Sequence, residues 1–106
     1  MMDGSIESII NGILERIAQG YASAKAEWQA DRRNLFKDGR FLGYYEAKEA
    51  LIHHLTNEDG LNNALEELAR LYNRAKADWK ADRKNPFKDG RFLAYFEVLN
   101  MIPAAV

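Results

Sequence analysis

The sequence predicts an all-α domain made of two tandem helical hairpins, related by a pseudo-two-fold and forming a four-helix bundle. Three observations carry this expectation. The chain repeats itself at an offset of 51 residues, apolar side chains ahead of each turn recur at helical spacing, and the aromatic residues gather inside the repeated windows. Residues 21–47 align with 72–98, and eighteen of those 27 positions are identical. Tyr21 to Trp28 matches Tyr72 to Trp79, Ala30-Asp31-Arg32 matches Ala81-Asp82-Arg83, and Phe36-Lys-Asp-Gly-Arg-Phe-Leu42 recurs unchanged at 87–93. All twelve aromatics fall in the two windows, six in each, which points to a shared core.

The first helix is read at about 5–33. Ser5 precedes an apolar run with Glu7 and Ser8 in the following turn, and Ile10, Leu14, Ile17, Tyr21, Ala24 and Trp28 recur every three or four residues. Gly12 and Gly20 lie inside it and each costs roughly 1 kcal/mol relative to alanine, so a frayed or bent first half is expected. The second helix begins near Phe36, after Asn34 as cap. At 100° per residue its apolar and small residues cover more than half the circumference, and the wet stripe is narrow, carrying Glu46, Glu49 and His53. A helix so broadly apolar needs a second helical layer, which the other copy supplies. Its small-residue strip, Gly39, Gly43, Ala47 and Ala50, is matched less strictly by Gly90, Ala94, Val98 and Met101. The expectation is tight antiparallel packing rather than a membrane role.

Asn57-Glu58-Asp59-Gly60 supplies the break between hairpins. Leu61, Leu65, Leu68, Tyr72, Ala75 and Trp79 then repeat the phase of the first helix. Asn85-Pro86 reads as a cap followed by proline at the first helical position, and Pro103 stops the last helix near Met101 or Ile102. One domain over 1–106 results, with repeat one at about 5–56, a linker at 57–60 and repeat two at about 61–102.

Composition narrows the function classes. With 47% hydrophobic and 29% charged residues the chain can bury a core and lacks the signature of disorder. Fifteen Lys and Arg against sixteen Asp and Glu give a net charge of −1, so no whole-protein positive field draws nucleic acid or a membrane surface. The absence of cysteine removes disulfides, thiolate nucleophiles and Cys-ligated zinc, and suits a reducing compartment. The N-terminus lacks a basic leader, and no apolar run approaches the ~18 residues that span a bilayer. A cytoplasmic protein is the simplest reading.

Candidate sites centre on the hairpin turns. Arg32, Lys37 and Arg40, with their copies Arg83, Lys88 and Arg91, form a possible phosphate or acidic-ligand site at a helix start. Structural pairing is favoured over that reading, because Arg40 and Arg91 project from an apolar arc and require carboxylate partners. Asp31 and Asp82 are nearest in sequence, with Glu46 and Glu97 next. The expected structural core of the repeat is Trp28, Phe36, Gly39, Phe41 and Tyr44 with Trp79, Phe87, Gly90, Phe92 and Tyr95. Basic residues interleaved with aromatics raise nucleic-acid binding, but Glu27, Asp31 and Asp38 sit among them and no recognition helix stands out. Glu46, Glu49 and His53 share a helical face at metal-ligand spacing. The second copy carries Asn100 and Ala104 at the positions of Glu49 and His53, so no symmetric dinuclear centre is expected and a solvated helix end is favoured. Glu46 and Glu97 read as salt-bridge partners rather than general acid and base. The expectation is a non-enzymatic protein-interaction or structural module with no cofactor and no metal. Its partner would be another protein or itself, as a possible homodimer, and nucleic-acid or anionic-ligand binding at the basic turns is the alternative.

Overall fold

The computed structural model describes residues 2–55 and 60–102, and it contains four helices: α1 Met2–Ala30, α2 Leu35–Leu55, α3 Gly60–Ala81 and α4 Pro86–Asn100. They pack as a four-helix bundle with principal extents of 49 × 29 × 20 Å. The linker placed at 57–60 falls largely on 56–59, which lie outside the described residues, as does Pro103. Helix α1 differs most from its expected bounds. It starts at Met2 and stops at Ala30, because the chain reverses as soon as Asp31 N–H has bonded back to Trp28 O at 3.1 Å.

Both turns are built alike because their sequences are alike. Asn34 N–H donates to Asp31 O at 3.0 Å, and Asn85 N–H donates to Asp82 O at 3.1 Å. The Asn34 side-chain oxygen then accepts from Lys37 N–H at 3.1 Å, and that of Asn85 accepts from Phe87 N–H at 3.0 Å and Lys88 N–H at 3.3 Å. Each cap satisfies donors that the first turn of a helix leaves unpaired. Pro86, which has no N–H to lose, occupies the first turn of α4.

Within each hairpin the aromatic residues fasten the two helices. Phe41 stacks on Trp28 with centroids 4.9 Å apart and meets Tyr21 at 5.5 Å; Phe92 repeats this with Trp79 at 5.0 Å and Tyr72 at 5.4 Å. Such pairs add about 0.5–1.5 kcal/mol each beyond the area they bury. The fully buried set is also duplicated: Ile17 with Leu68, Ala24 with Ala75, Tyr44 with Tyr95, and Ala47 with Val98. Gly20 makes room for Tyr44, whose ring would lie 2.6 Å from a Cβ at that position.

The neighbour that uses the small-residue strip is α4, and it runs in the same direction as α2, not the opposite one. His54 near the end of α2 bonds Glu67 in the second turn of α3, so α3 returns along α2 and α4 reverses once more. Contacts climb together accordingly: a Cβ on Gly39 would meet the Phe87 carbonyl, and one on Gly43 would meet Ala94. Helices α2 and α4 form the central pair, α1 packs on α2, and α3 packs on both α4 and α2. The imbalance follows from length. Helix α2 continues to Leu55 and covers the start of α3, whereas α4 ends at Asn100 and, among the described residues, makes no extended contact with α1.

Candidate functional site

The conserved-in-both-copies segments at 36–42 and 87–93 meet where α2 crosses α4. Alanine at Gly39 would put its Cβ 1.9 Å from Phe87 O, and alanine at Gly90 would put one 2.0 Å from Phe36 O. The backbones touch there, and only glycine permits it. This close approach brings each arginine to the opposite repeat. Arg40 Nε and Nη2 donate to Glu97 Oε2 and Oε1, both at 2.9 Å, while Nη1 donates to Glu27 Oε2 at 2.7 Å. Arg91 Nε donates to Glu46 Oε1 at 2.7 Å and Nη2 to Oε2 at 3.3 Å, with Asp78 Oδ2 3.6 Å from Nη1. Residue i meets j of the other copy and j meets i, which is the signature of a two-fold interface.

Of the expected carboxylate partners, Glu97 and Glu46 are the ones that pair with Arg40 and Arg91, each across the repeat, and the nearer candidates Asp31 and Asp82 do not. Asp31 and Asp82 pair with Lys37 and Lys88, at 3.5 and 3.6 Å, and leave the arginines to Glu97 and Glu46. Glu46 leaves the wet stripe assigned to it because the α2–α4 contact covers that edge of the helix. Glu27 and Asp78, acidic at matching positions one turn before Asp31 and Asp82, were the missed third partners. The reciprocal signal was present in the sequence: Arg40, Glu46, Arg91 and Glu97 recur with identical spacing, beside glycines kept in both copies.

Electrostatically these are closed clusters. The double hydrogen bond to Glu97 holds the Arg40 guanidinium above its ordinary pKa against an opposing effect of burial, and Glu46 does the same for Arg91. Burial, reinforced by the negative charge of Glu97 and Glu46 respectively, pushes the Tyr44 and Tyr95 phenols upward, and Tyr95 donates to Glu46 Oε1 at 3.2 Å. The remaining predicted ligand residues are likewise engaged: Arg32 lies over Trp28 at 5.1 Å and Arg83 over Trp79 at 5.0 Å, as cation–π pairs. Each of the six basic side chains thus has a partner within the chain. Among the described residues no three His, Asp or Glu side chains are grouped to hold a metal ion, and no helix is long and apolar enough to cross a membrane.

What the structure does open is a pair of grooves. One, of about 420 Å³, is lined by Tyr21, Asp38, Phe41, Leu42, Tyr45 and Phe87. The other, of about 380 Å³, contains Tyr72, Asp89, Phe92, Leu93 and Phe96, the matching positions, with Lys76 and Trp79 beside them. Tyr45 and Phe96 on their rims are 46% and 48% exposed. The shared aromatic core is narrower than expected: Tyr44 and Tyr95 alone are buried, Phe41 and Phe92 pack half-buried against them with Tyr21 and Tyr72, Trp28, Phe36, Trp79 and Phe87 are half-buried outside that cluster, and Tyr45 and Phe96 stay exposed because among the described residues no helix lies over that face of α2 or α4. Tests against known proteins find no family model, no curated protein and no solved structure that matches the chain.

Proposed function

We propose that this chain is a non-enzymatic interaction module that receives a protein partner in two equivalent aromatic grooves. The observation that carries the reading is the exposure of Tyr45 and Phe96. A large aromatic held half in water at one position is ordinary, but the same exposure twice, at matching positions beside matching grooves, marks a binding surface. The clusters support it from the other side. Arg40, Arg91, Glu46 and Glu97 are consumed in pairing each other, so the polar groups at the centre of the repeat are devoted to holding the halves together. No observation favours the basic turns as an anion or nucleic-acid surface, since their cations are stacked or paired. The cysteine-free composition suits a reducing compartment such as the cytoplasm.

The test is a comparison of three proteins in affinity capture and sedimentation: wild type, the Tyr45→Glu/Phe96→Glu double variant, and Ile52→Glu as a control at another exposed apolar position. All three are expected to melt within a few degrees of one another, because surface substitutions seldom change stability by more than about 0.5 kcal/mol. A partner, or a second copy of the chain, held by wild type and control but lost by the double variant is the expected result. Equal behaviour of all three would refute the reading.

A further inference from the structure

The grooves also carry a charge. Around each hairpin turn the carboxylates are spoken for: Asp31 and Asp82 by lysines, Glu27, Asp78, Glu46 and Glu97 by arginines. Asp38 and Asp89 are the exceptions. Among the described residues neither carboxylate has a hydrogen-bond or ion-pair partner; Asp38 lines the first groove as its one charged residue among aromatic side chains, whereas Asp89 shares the second with Lys76. The favourable effect of a helix start on an acidic residue accounts for tolerance of Asp38 and Asp89 there. It does not account for the place of Asp38 on the wall of an apolar groove. An apolar channel with π-rich walls and one carboxylate is complementary to a cation on a hydrocarbon stem, which can bury the stem while its charge meets the carboxylate and the ring faces. The cation–π habit is already present at the edges, where Lys48 lies 4.6 Å from the Tyr21 ring centre and Lys76 lies 6.0 Å from that of Tyr72.

Resting on the groove reading above, we infer that the first groove receives a lysine or arginine side chain of the partner protein, its stem against the aromatic walls and its charge at Asp38. Lys76 of the chain itself lines the second groove with Asp89, so that groove serves as the internal control.

The experiment is an amide-resonance titration of the whole chain with n-butylammonium and n-propylguanidinium, the side chains of lysine and arginine, beside n-butanol as the neutral match. The cations are expected to shift resonances of the first groove, saturating with dissociation constants roughly tenfold below that of butanol and weakening with added salt, and to show no such preference at the second. Asp38→Asn should bring the first groove to the alcohol's affinity. If butanol binds the first groove as well as the cations, or Asp38→Asn binds cations undiminished, the cation inference is overturned while the groove reading stands. If no probe moves any groove resonance, both are overturned.

Discussion

Replacing Gly39 by alanine reverses the usual sign of a helical glycine-to-alanine change. In an unobstructed helix the substitution stabilises by about 0.5–1 kcal/mol, since glycine loses more backbone freedom on folding. At Gly39 the new Cβ lies 1.9 Å from Phe87 O, and ordinary contact begins at 3.4 Å, so α2 and α4 must part by about 1.5 Å. A gap of that size removes most of the dispersion attraction across the crossing. It also carries the Arg40–Glu97 bonds, 2.9 Å long, beyond hydrogen-bonding range. Overpacking costs typically 1–3 kcal/mol and the lost clamp about 1 more, so after the propensity gain the net loss is about 2 kcal/mol. For a chain of this size that lowers the melting temperature by roughly 8–16 °C. Gly12→Ala is the internal control, because nothing lies within 4 Å of a Cβ there. It should raise the melting temperature by a few degrees. Circular-dichroism melts of both variants decide the matter: a Gly39→Ala protein melting at or above wild type would show that the helices do not touch as described.

Three further outcomes follow from the same contacts. Asn34→Ala and Asn85→Ala should each cost about 1 kcal/mol, read as a lower urea midpoint at unchanged slope, with Asn85 the larger loss because its oxygen accepts two bonds. A double-mutant cycle on Arg40→Ala and Glu97→Ala should return a coupling of about 1 kcal/mol, and pairing Arg40→Ala with Glu46→Ala should return none, which separates the cross-repeat partner from the one in the same helix. Stability should fall as pH rises past about 10, where the unfolded chain ionises tyrosines that the fold keeps neutral. Tyr44 and Tyr95 have folded pKa values raised above the unfolded one, so their contribution is complete below that pH and is lost above it. Tyr44→Phe/Tyr95→Phe should flatten the alkaline limb of the melting-temperature profile.

Much of the fold was readable because it is local. Asn34 and Asn85 announce their helices by residue type, Pro86 fixes the first turn of α4, and the spacing from Ile10 to Trp28 traces a face that the structure buries at Ile17 and Ala24. The site was less readable because it forms between segments half a chain apart. Spacing places Arg40 on an apolar arc and demands a carboxylate, but whether Asp31 or Glu97 answers depends on how closely α2 and α4 approach. The glycines at 39 and 90 controlled that approach, and their meaning lay in each other rather than in their own helices. The exposure of Tyr45 and Phe96 was hidden for a related reason: helical phase groups them with core residues, but among the described residues no helix covers them.

The contact between Gly43 and Ala94 has a consequence for how the two halves can ever be separated. A methyl on residue 43 would sit 2.6 Å from the methyl of Ala94, so the crossing holds one methyl and not two. Two copies of the first half would meet there with a hollow, and two copies of the second with a collision; only one of each closes cleanly. Although the repeats share eighteen of the 27 positions in their common window, they have ceased to be interchangeable parts. Cut apart and mixed, they should choose the unlike mate, and the chain that joins them now connects a socket to its plug.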